Sequence, residues 1–319
     1  MILTLTANPS HDRTVVLAGP LERGAVIRAD SVISQAGGKG VNIARACVSA
    51  GVPAVAVLPA AKDDPFVLEL LTAGIDCRPV HHDGALRVNI TITEPDGTTT
   101  KLNSPGPELT ADVRRQLGEA LRLRAAAADW VVLAGSLPPG TPPEWYAELV
   151  VMLRASGARL AVDTSDDPLR ALVERLPEAA PHLMKPNGHE LASFTGDDPD
   201  VLETDPLAAA RAARSLVESG VETVLATLGP CGAVLVTATD AWHAEPVPVE
   251  VVSTVGAGDC SLFGYLLGEL RGQRPQERLA LAVAYGSAAA GLPGTTIPQP
   301  GQVRPELVSV HHLDLTQGG

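Results

Sequence analysis

Ser253-Thr-Val-Gly-Ala-Gly-Asp-Cys-Ser-Leu-Phe-Gly-Tyr-Leu-Leu-Gly-Glu-Leu270 changes character partway along. Its first half is small: Gly256, Ala257 and Gly258, followed by Asp259. Its second half is apolar at helical spacing, with Leu262, Phe263, Leu266, Leu267 and Leu270 on a three-and-four repeat. The pattern predicts a glycine turn opening a helix, with a carboxylate in the first turn. A helix start offers unpaired N–H groups and a partial positive charge, and glycines let that backbone come close to an anion such as phosphate. A carboxylate beside such a site can take the proton of an attacking hydroxyl. The same aspartate also serves as an ordinary capping residue, and this stretch alone leaves both possibilities open.

Working outward, the chain repeats a strand–loop–helix rule. Ile2–Thr6 is a short buried strand that ends in the loop Asn8-Pro9-Ser10-His11-Asp12, with Asp12 just past the strand. Gln35-Ala-Gly-Gly-Lys-Gly40 is a second glycine loop feeding a helix, with Val41, Ala44 and Val48 on one face and Gly51 as its stop. Further strands are predicted at 53–57, 130–134, 159–163, 182–185 and 223–227, and helices at 64–73, 110–127, 143–156, 187–195, 206–220 and 275–291. Trp130-Val-Val-Leu-Ala134 is apolar throughout, as befits a parallel strand covered on both faces. Arg159-Leu-Ala-Val-Asp163 is another strand, with a carboxylate at its end. The repetition predicts a mostly parallel α/β sheet, in which motifs at the carboxyl ends of strands collect in one crevice. Leu86–Thr93 alternates cleanly, turns at Glu94-Pro-Asp-Gly97 and continues through Thr98–Leu102, a hairpin signal. Strands from about 13–35 and 86–104 are expected to form a small β lid on a single domain spanning 1–319. Gly196–Asp200 reads as an acidic loop, and the tail from Pro298, with His311 and His312, as flexible and free of metal.

Bulk properties narrow the partners. The formal net charge is -13, which argues against nucleic acid or an anionic membrane as the main partner. Aromatics make up 3%, too few for base-stacking platforms. Cys47, Cys77, Cys231 and Cys260 show no metal-ligand spacing and fit reduced thiols of a cytoplasmic protein. The first residues have no basic region before an apolar core, and no apolar run approaches the ~18 residues of a membrane span.

Val255-Gly-Ala-Gly-Asp259 and Ala36-Gly-Gly-Lys-Gly-Val-Asn-Ile-Ala-Arg45 resemble the two signatures of the PfkB (ribokinase-like) carbohydrate kinases. Between them Gly135-Ser-Leu-Pro-Pro-Gly140, Lys185-Pro-Asn-Gly-His-Glu190 and Thr227-Leu-Gly-Pro-Cys-Gly232 stand in that family's order, so the resemblance covers nearly the whole chain. It implies a ribokinase-like three-layer α/β/α fold with a mostly parallel central sheet and a small β-sheet lid, which in the family often pairs subunits into a homodimer. It implies ATP and Mg2+ as cofactors and Asp259 as the base, with Gly256, Ala257 and Gly258 around the transferred phosphoryl group. Nucleotide contacts fall on Lys185, Asn187, Thr227, Gly229, Gly232 and Gly258, and Glu190 with Asn187 orients water on the metal. Asp12, Gly38, Asn42, Asn89 and Ser136 fall on the sugar side. Lys39, Arg87 and Arg28 are the cations that would meet a phosphate already on the sugar. Fructose 1-phosphate is then the first candidate substrate, with tagatose 6-phosphate and fructose 6-phosphate as alternatives. A regulator that binds without transferring would be expected to lack Asp259 or Lys185, and both are present. Members of the family often respond to K+ near the loop before the catalytic aspartate, but no pattern here marks such a site.

Overall fold

The continuous apolar runs become buried strands in the computed structural model, which describes residues 1–316. Strand β1 (Ile2–Thr6) passes through the loop at Asn8 and Pro9 into β2 (Ser10–Leu17) and β3 (Ala29–Gly37), and helix α1 (Lys39–Ser49) returns the chain to the main body. Next come β4 (Ala54–Pro59), α2 (Pro65–Thr72) and β5 (Asp76–Val80), followed by a second excursion through β6 (Arg87–Thr93) and β7 (Thr99–Leu102). After α3 (Ala111–Ala125) the elements are β8 (Trp130–Ala134), α4 (Trp145–Leu153), β9 (Arg159–Asp163), α5 (Asp166–Glu174) and β10 (Leu183–Met184). Then follow α6 (Gly188–Thr195), α7 (Pro199–Thr204), α8 (Pro206–Glu218), β11 (Thr223–Thr227), β12 (Ala233–Thr237) and β13 (Ala241–Ala244). The chain closes with α9 (Ala257–Leu270), α10 (Pro275–Ala290) and β14 (Val310–His312).

The large sheet has ten strands in the order β14-β13-β12-β11-β10-β9-β8-β1-β4-β5. From β5 to β11 the pairs are parallel, and β12, β13 and β14 add an antiparallel edge. Alternate side chains of each strand feed two cores. Ile2, Ala56 and Val132 join α1, α2, α9 and α10 on one face, while Leu3, Leu5 and Val131 join α3, α4, α5 and α8 on the other. Helix α9 is buried from Asp259 through Gly268, flanked by α1 and α10, and on the α10 side Phe263 meets Tyr285 edge to face at 5.1 Å. Each large apolar side chain buried this way contributes about 1.5–3 kcal/mol, so the start of α9 is held firmly in place. No helix among the described residues is long and apolar enough to cross a membrane.

The excursions form a separate four-stranded sheet, β3-β2-β6-β7. Strands β2 and β3 reach slightly beyond the expected 13–35, starting at Ser10 and ending at Gly37, while β6 and β7 fall within the expected 86–104. Val32 (58% exposed), Ile33 and Leu102 leave part of it apolar and open. Thr295, after α10, donates its hydroxyl to Gln35 Oε1 on β3 at 2.8 Å and ties the small sheet to the main body.

Four local expectations need correction or addition. Within the described residues the tail forms a strand: β14 pairs antiparallel with β13, and His312 lies 3.3 Å from Asp240. The acidic loop runs into α7, whose start Asp198 caps. Strand β5 carries Pro79, which an edge strand tolerates. Helix α5 hides behind Asp166-Asp167-Pro168, a sequence that reads as a loop but fits a first helical turn, where an N–H is not needed.

Candidate active site

Five parallel strands end side by side, and the residues just past their ends face one another. Asn8 follows β1, Gly135 and Ser136 follow β8, Ser165 follows β9, Lys185 and Asn187 follow β10, and Gly229 follows β11. They line a cavity of about 1020 Å3, closed on another side by Asp12, Arg87 and Asn89 of the small sheet. Gly38, Lys39, Asn42, Glu190, Thr227, Gly232, Gly256, Ala257, Gly258 and Asp259 share it. Arg28 does not: it is exposed ahead of β3 and lies off the cavity, so within one chain the expectation that it binds substrate is not met.

Two helices start at the cavity, and local sequence explains both. Gly256 precedes α9 with φ 79°, a left-handed turn that costs other residues ~1–2 kcal/mol. At the start of α1, a Cβ on Gly40 would sit 2.5 Å from Thr6 Oγ1 and 2.7 Å from Leu5 O, so only glycine lets this helix dock on β1. Asn42, one turn into α1, donates Nδ2–H to Asp259 Oδ2 at 2.8 Å. Asp259 is 6% exposed. Burial pushes its carboxyl up to about 6; Lys39 pulls it back, Asp163 pushes it further up, and the Asn42 hydrogen bond again favours the charged form. A loose transition state asks little of its base, so nothing in the sequence demanded this rise.

Lys39 has a partner that the motifs did not announce. Its ammonium donates to Asp163 Oδ1 at 2.7 Å. Lys185 Nζ lies 3.3 Å from Asp163 Oδ2. Burial draws the Lys39 ammonium down, but Asp163, Asp259 and Glu190 more than reverse this and keep it charged. Burial would raise the Asp163 carboxyl; Lys185 and Lys39 outweigh it and hold the group below its ordinary range. Asp163 is the residue that sequence reading passed over. Its one signal was a carboxylate at the carboxyl end of a parallel strand.

On the small-sheet side, Ser10 Oγ (2.7 Å) and Asn89 Nδ2 (3.0 Å) both donate to Asp12 Oδ1. Arg87 anchors Nε on Asn8 O and Nη1 on Ser104 O, each at 3.2 Å. At the opposite end the wall is apolar, with Pro246, Val249, Val251, Val283 and Ala290. Asn187 and Glu190 form a full capping box: Asn187 Oδ1 accepts from Glu190 N at 2.7 Å and Glu190 Oε2 from Asn187 N at 2.8 Å. That leaves Glu190 Oε1 available, on a carboxyl that burial raises and Lys185 draws down. No group of His, Cys, Asp and Glu among the described residues forms a metal cage. The donor set therefore fits an ion held chiefly by its own water and a ligand's phosphates, as Mg2+ is.

A doubly covered parallel sheet with a second sheet over its carboxyl ends, and a buried carboxylate at a helix start, define a ribokinase-like phosphotransferase acting on a sugar hydroxyl. The chain belongs to the pfkB family carbohydrate kinases, whose family pattern matches residues 6–302. It is 36% identical to a 1-phosphofructokinase of Haloferax volcanii over 99% of this chain and 98% of that one. Its structure is similar to that of phosphofructokinase-2 from Escherichia coli in complex with substrates and products, with a TM-score of 0.87 and 30% identity, covering 96% of this chain and 99% of the other. The same E. coli protein in complex with potassium gives a TM-score of 0.85 at 29% identity, covering 94% and 96%.

Proposed function

We propose that this chain is an ATP-dependent phosphosugar kinase, with fructose 1-phosphate as the first candidate substrate and fructose 1,6-bisphosphate as product. One observation carries this: Asp259, buried at the start of α9, shares a single cavity with Lys39, Lys185 and Arg87. Asp259 accepts the proton of the attacking sugar hydroxyl, and Asn42 holds its carboxylate toward that oxygen. The first-turn amides of α9, with Gly258, receive charge on the transferred group, and Lys185 and Lys39 spread the rest. Arg87 supports a substrate that arrives already phosphorylated, since a free sugar offers that cation no anionic partner. Asp12, its carboxylate held by Asn89 and Ser10, accepts from sugar hydroxyls in this reading, and Gly38 and Ser136 line the same cavity.

ATP lies with its base toward the Val249 and Ala290 wall and its phosphates along Thr227, Gly229 and Gly232. Glu190, through its open oxygen and with Asn187 behind it, is where Mg2+ would be held through water; the ion neutralises phosphate charge when bound. The likeness to a potassium-bound relative supports a K+ requirement. We read residues 1–319 as one kinase unit whose small sheet acts as a lid. Its exposed Val32, Ile33 and Leu102 support a homodimer through that sheet. The test is a panel of fructose 1-phosphate, tagatose 6-phosphate, fructose 6-phosphate and free fructose with ATP and Mg2+, read by ADP release. Fructose 1-phosphate is expected to give the highest kcat/KM; preference for free fructose would remove the role given to Arg87.

A further inference from the structure

We propose that Asp163 is a positioning residue for phosphoryl transfer: it ties Lys39 and Lys185 together so that both ammonium groups meet the transferred group in one fixed arrangement. The inference rests on the kinase function proposed above. Asp163 closes β9, is 1% exposed and lies behind the cavity wall rather than in it. Nothing would touch a substrate through it. Its oxygens instead face the two lysines, Oδ1 at 2.7 Å from Lys39 and Oδ2 at 3.3 Å from Lys185.

Those lysines come from separate parts of the chain. Lys39 is the first residue of α1, and Lys185 follows β10. Each carries a long flexible stem, and two ammonium groups around one buried carboxylate, Lys185 buried and Lys39 half-buried, repel. A fully buried carboxylate between them offsets the repulsion, hydrogen-bonding Lys39 and holding Lys185 by charge. The place it fixes them is the reaction centre. A Cβ built on Gly258 would lie 3.5 Å from Lys185 Nζ, which sets that ammonium against the turn before Asp259. Asp259 and Glu190 both feel the charges of Lys39 and Lys185. Donors held in place beforehand act on developing charge without reorganising at the moment of reaction. Misplacing them therefore costs turnover more than ground-state binding.

Two variants test this against a merely structural or metal-binding carboxylate. Asp163→Asn removes the charge at constant size, and Asp163→Glu keeps the charge but moves it by one methylene. For Asp163→Asn we expect kcat to fall about a hundredfold, with KM for both substrates and calorimetric ADP affinity within about threefold of wild type. Asp163→Glu should restore thermal stability yet recover only part of kcat. Combined with Lys39→Met, Asp163→Asn should cost clearly less than the product of the two single losses, since part of its effect runs through Lys39 and the rest through Lys185. Full activity in Asp163→Glu, or multiplying losses in the double variant, would overturn the assignment. So would turnover in Asp163→Asn that returns at raised Mg2+, because that marks a metal ligand. If Asp163→Asn does not fold, Asp163→Glu decides alone: near-native melting with reduced kcat supports the role, and full kcat ends it. A wild-type protein inactive on every phosphosugar removes the function and this role together, whereas an active wild type with an equally active Asp163→Glu removes this role only.

Discussion

Replacing Asp259 with Asn should make the protein both nearly inactive and more stable. The buried carboxyl ionises at about 6 instead of its ordinary 3.8, mainly because burial disfavours the charge. That rise corresponds to roughly 3 kcal/mol lost from the folded state wherever the group is ionised. The sign follows from linkage. Below pH ~4 the group is protonated folded or unfolded, and Asp and Asn are equivalent. Between ~4 and ~6 the unfolded chain ionises while the folded chain does not, and the penalty grows; above ~6 it is complete. Asparagine carries no such penalty, and it can turn its Oδ1 toward Asn42 Nδ2 to keep the contact seen at 2.8 Å. For a chain of 319 residues, ~3 kcal/mol corresponds to about 4 °C in Tm. Thermal unfolding of both proteins from pH 4 to pH 8 should show the gain growing from pH ~4 and levelling off above about 6. In parallel, kcat should fall by at least ~100-fold, the usual contribution of a general base, with ADP binding nearly intact. A variant that turns over normally, or whose Tm difference does not change with pH, would refute the assignment of Asp259 as a buried base.

Wild-type kcat/KM should decline on the acid side with a midpoint near 6, as protonation removes the acceptor on Asp259; a profile flat to pH 5 would exclude it. Arg87→Ala should raise KM for the phosphosugar about 10–100-fold, the worth of a charge-assisted hydrogen bond, and leave KM for ATP unchanged in steady-state kinetics. Gly256→Ala forces a Cβ into φ 79°, so calorimetry should show a loss of ~1–2 kcal/mol and kcat should fall with it. Val32→Glu places a charge on a residue 58% exposed on the small sheet; on the homodimer proposed above, light scattering should report a dimer for the parent and a monomer for the variant.

Much of the site was legible because it is written in short contiguous motifs. Gly256 to Asp259 announces a glycine turn and a helix start whatever surrounds it, since the backbone chemistry is local. The same holds for Gly38 to Asn42 and for the capping box of Asn187 and Glu190, which came out with both hydrogen bonds made. What failed was equally local in origin. Helix α5 was masked by Asp166-Asp167-Pro168, and β14 by a tail whose pairing with β13 no short window contains. Arg28 illustrates the limit of carrying a role by position, because nothing in its neighbourhood fixes where an exposed segment points.

The sequence by itself determined the alternation of strands and helices, the two glycine turns and the carboxylate at residue 259, because hydrophobic period and backbone freedom act over a few residues. Only the tertiary structure decided how the charges are shared. Lys39 lies 124 residues before Asp163, and Asn42 lies 217 residues before Asp259. Their pairing exists because parallel strands from distant parts of the chain end at one crevice. Burial there makes each charge depend on its neighbours in space, which no reading along the chain can supply.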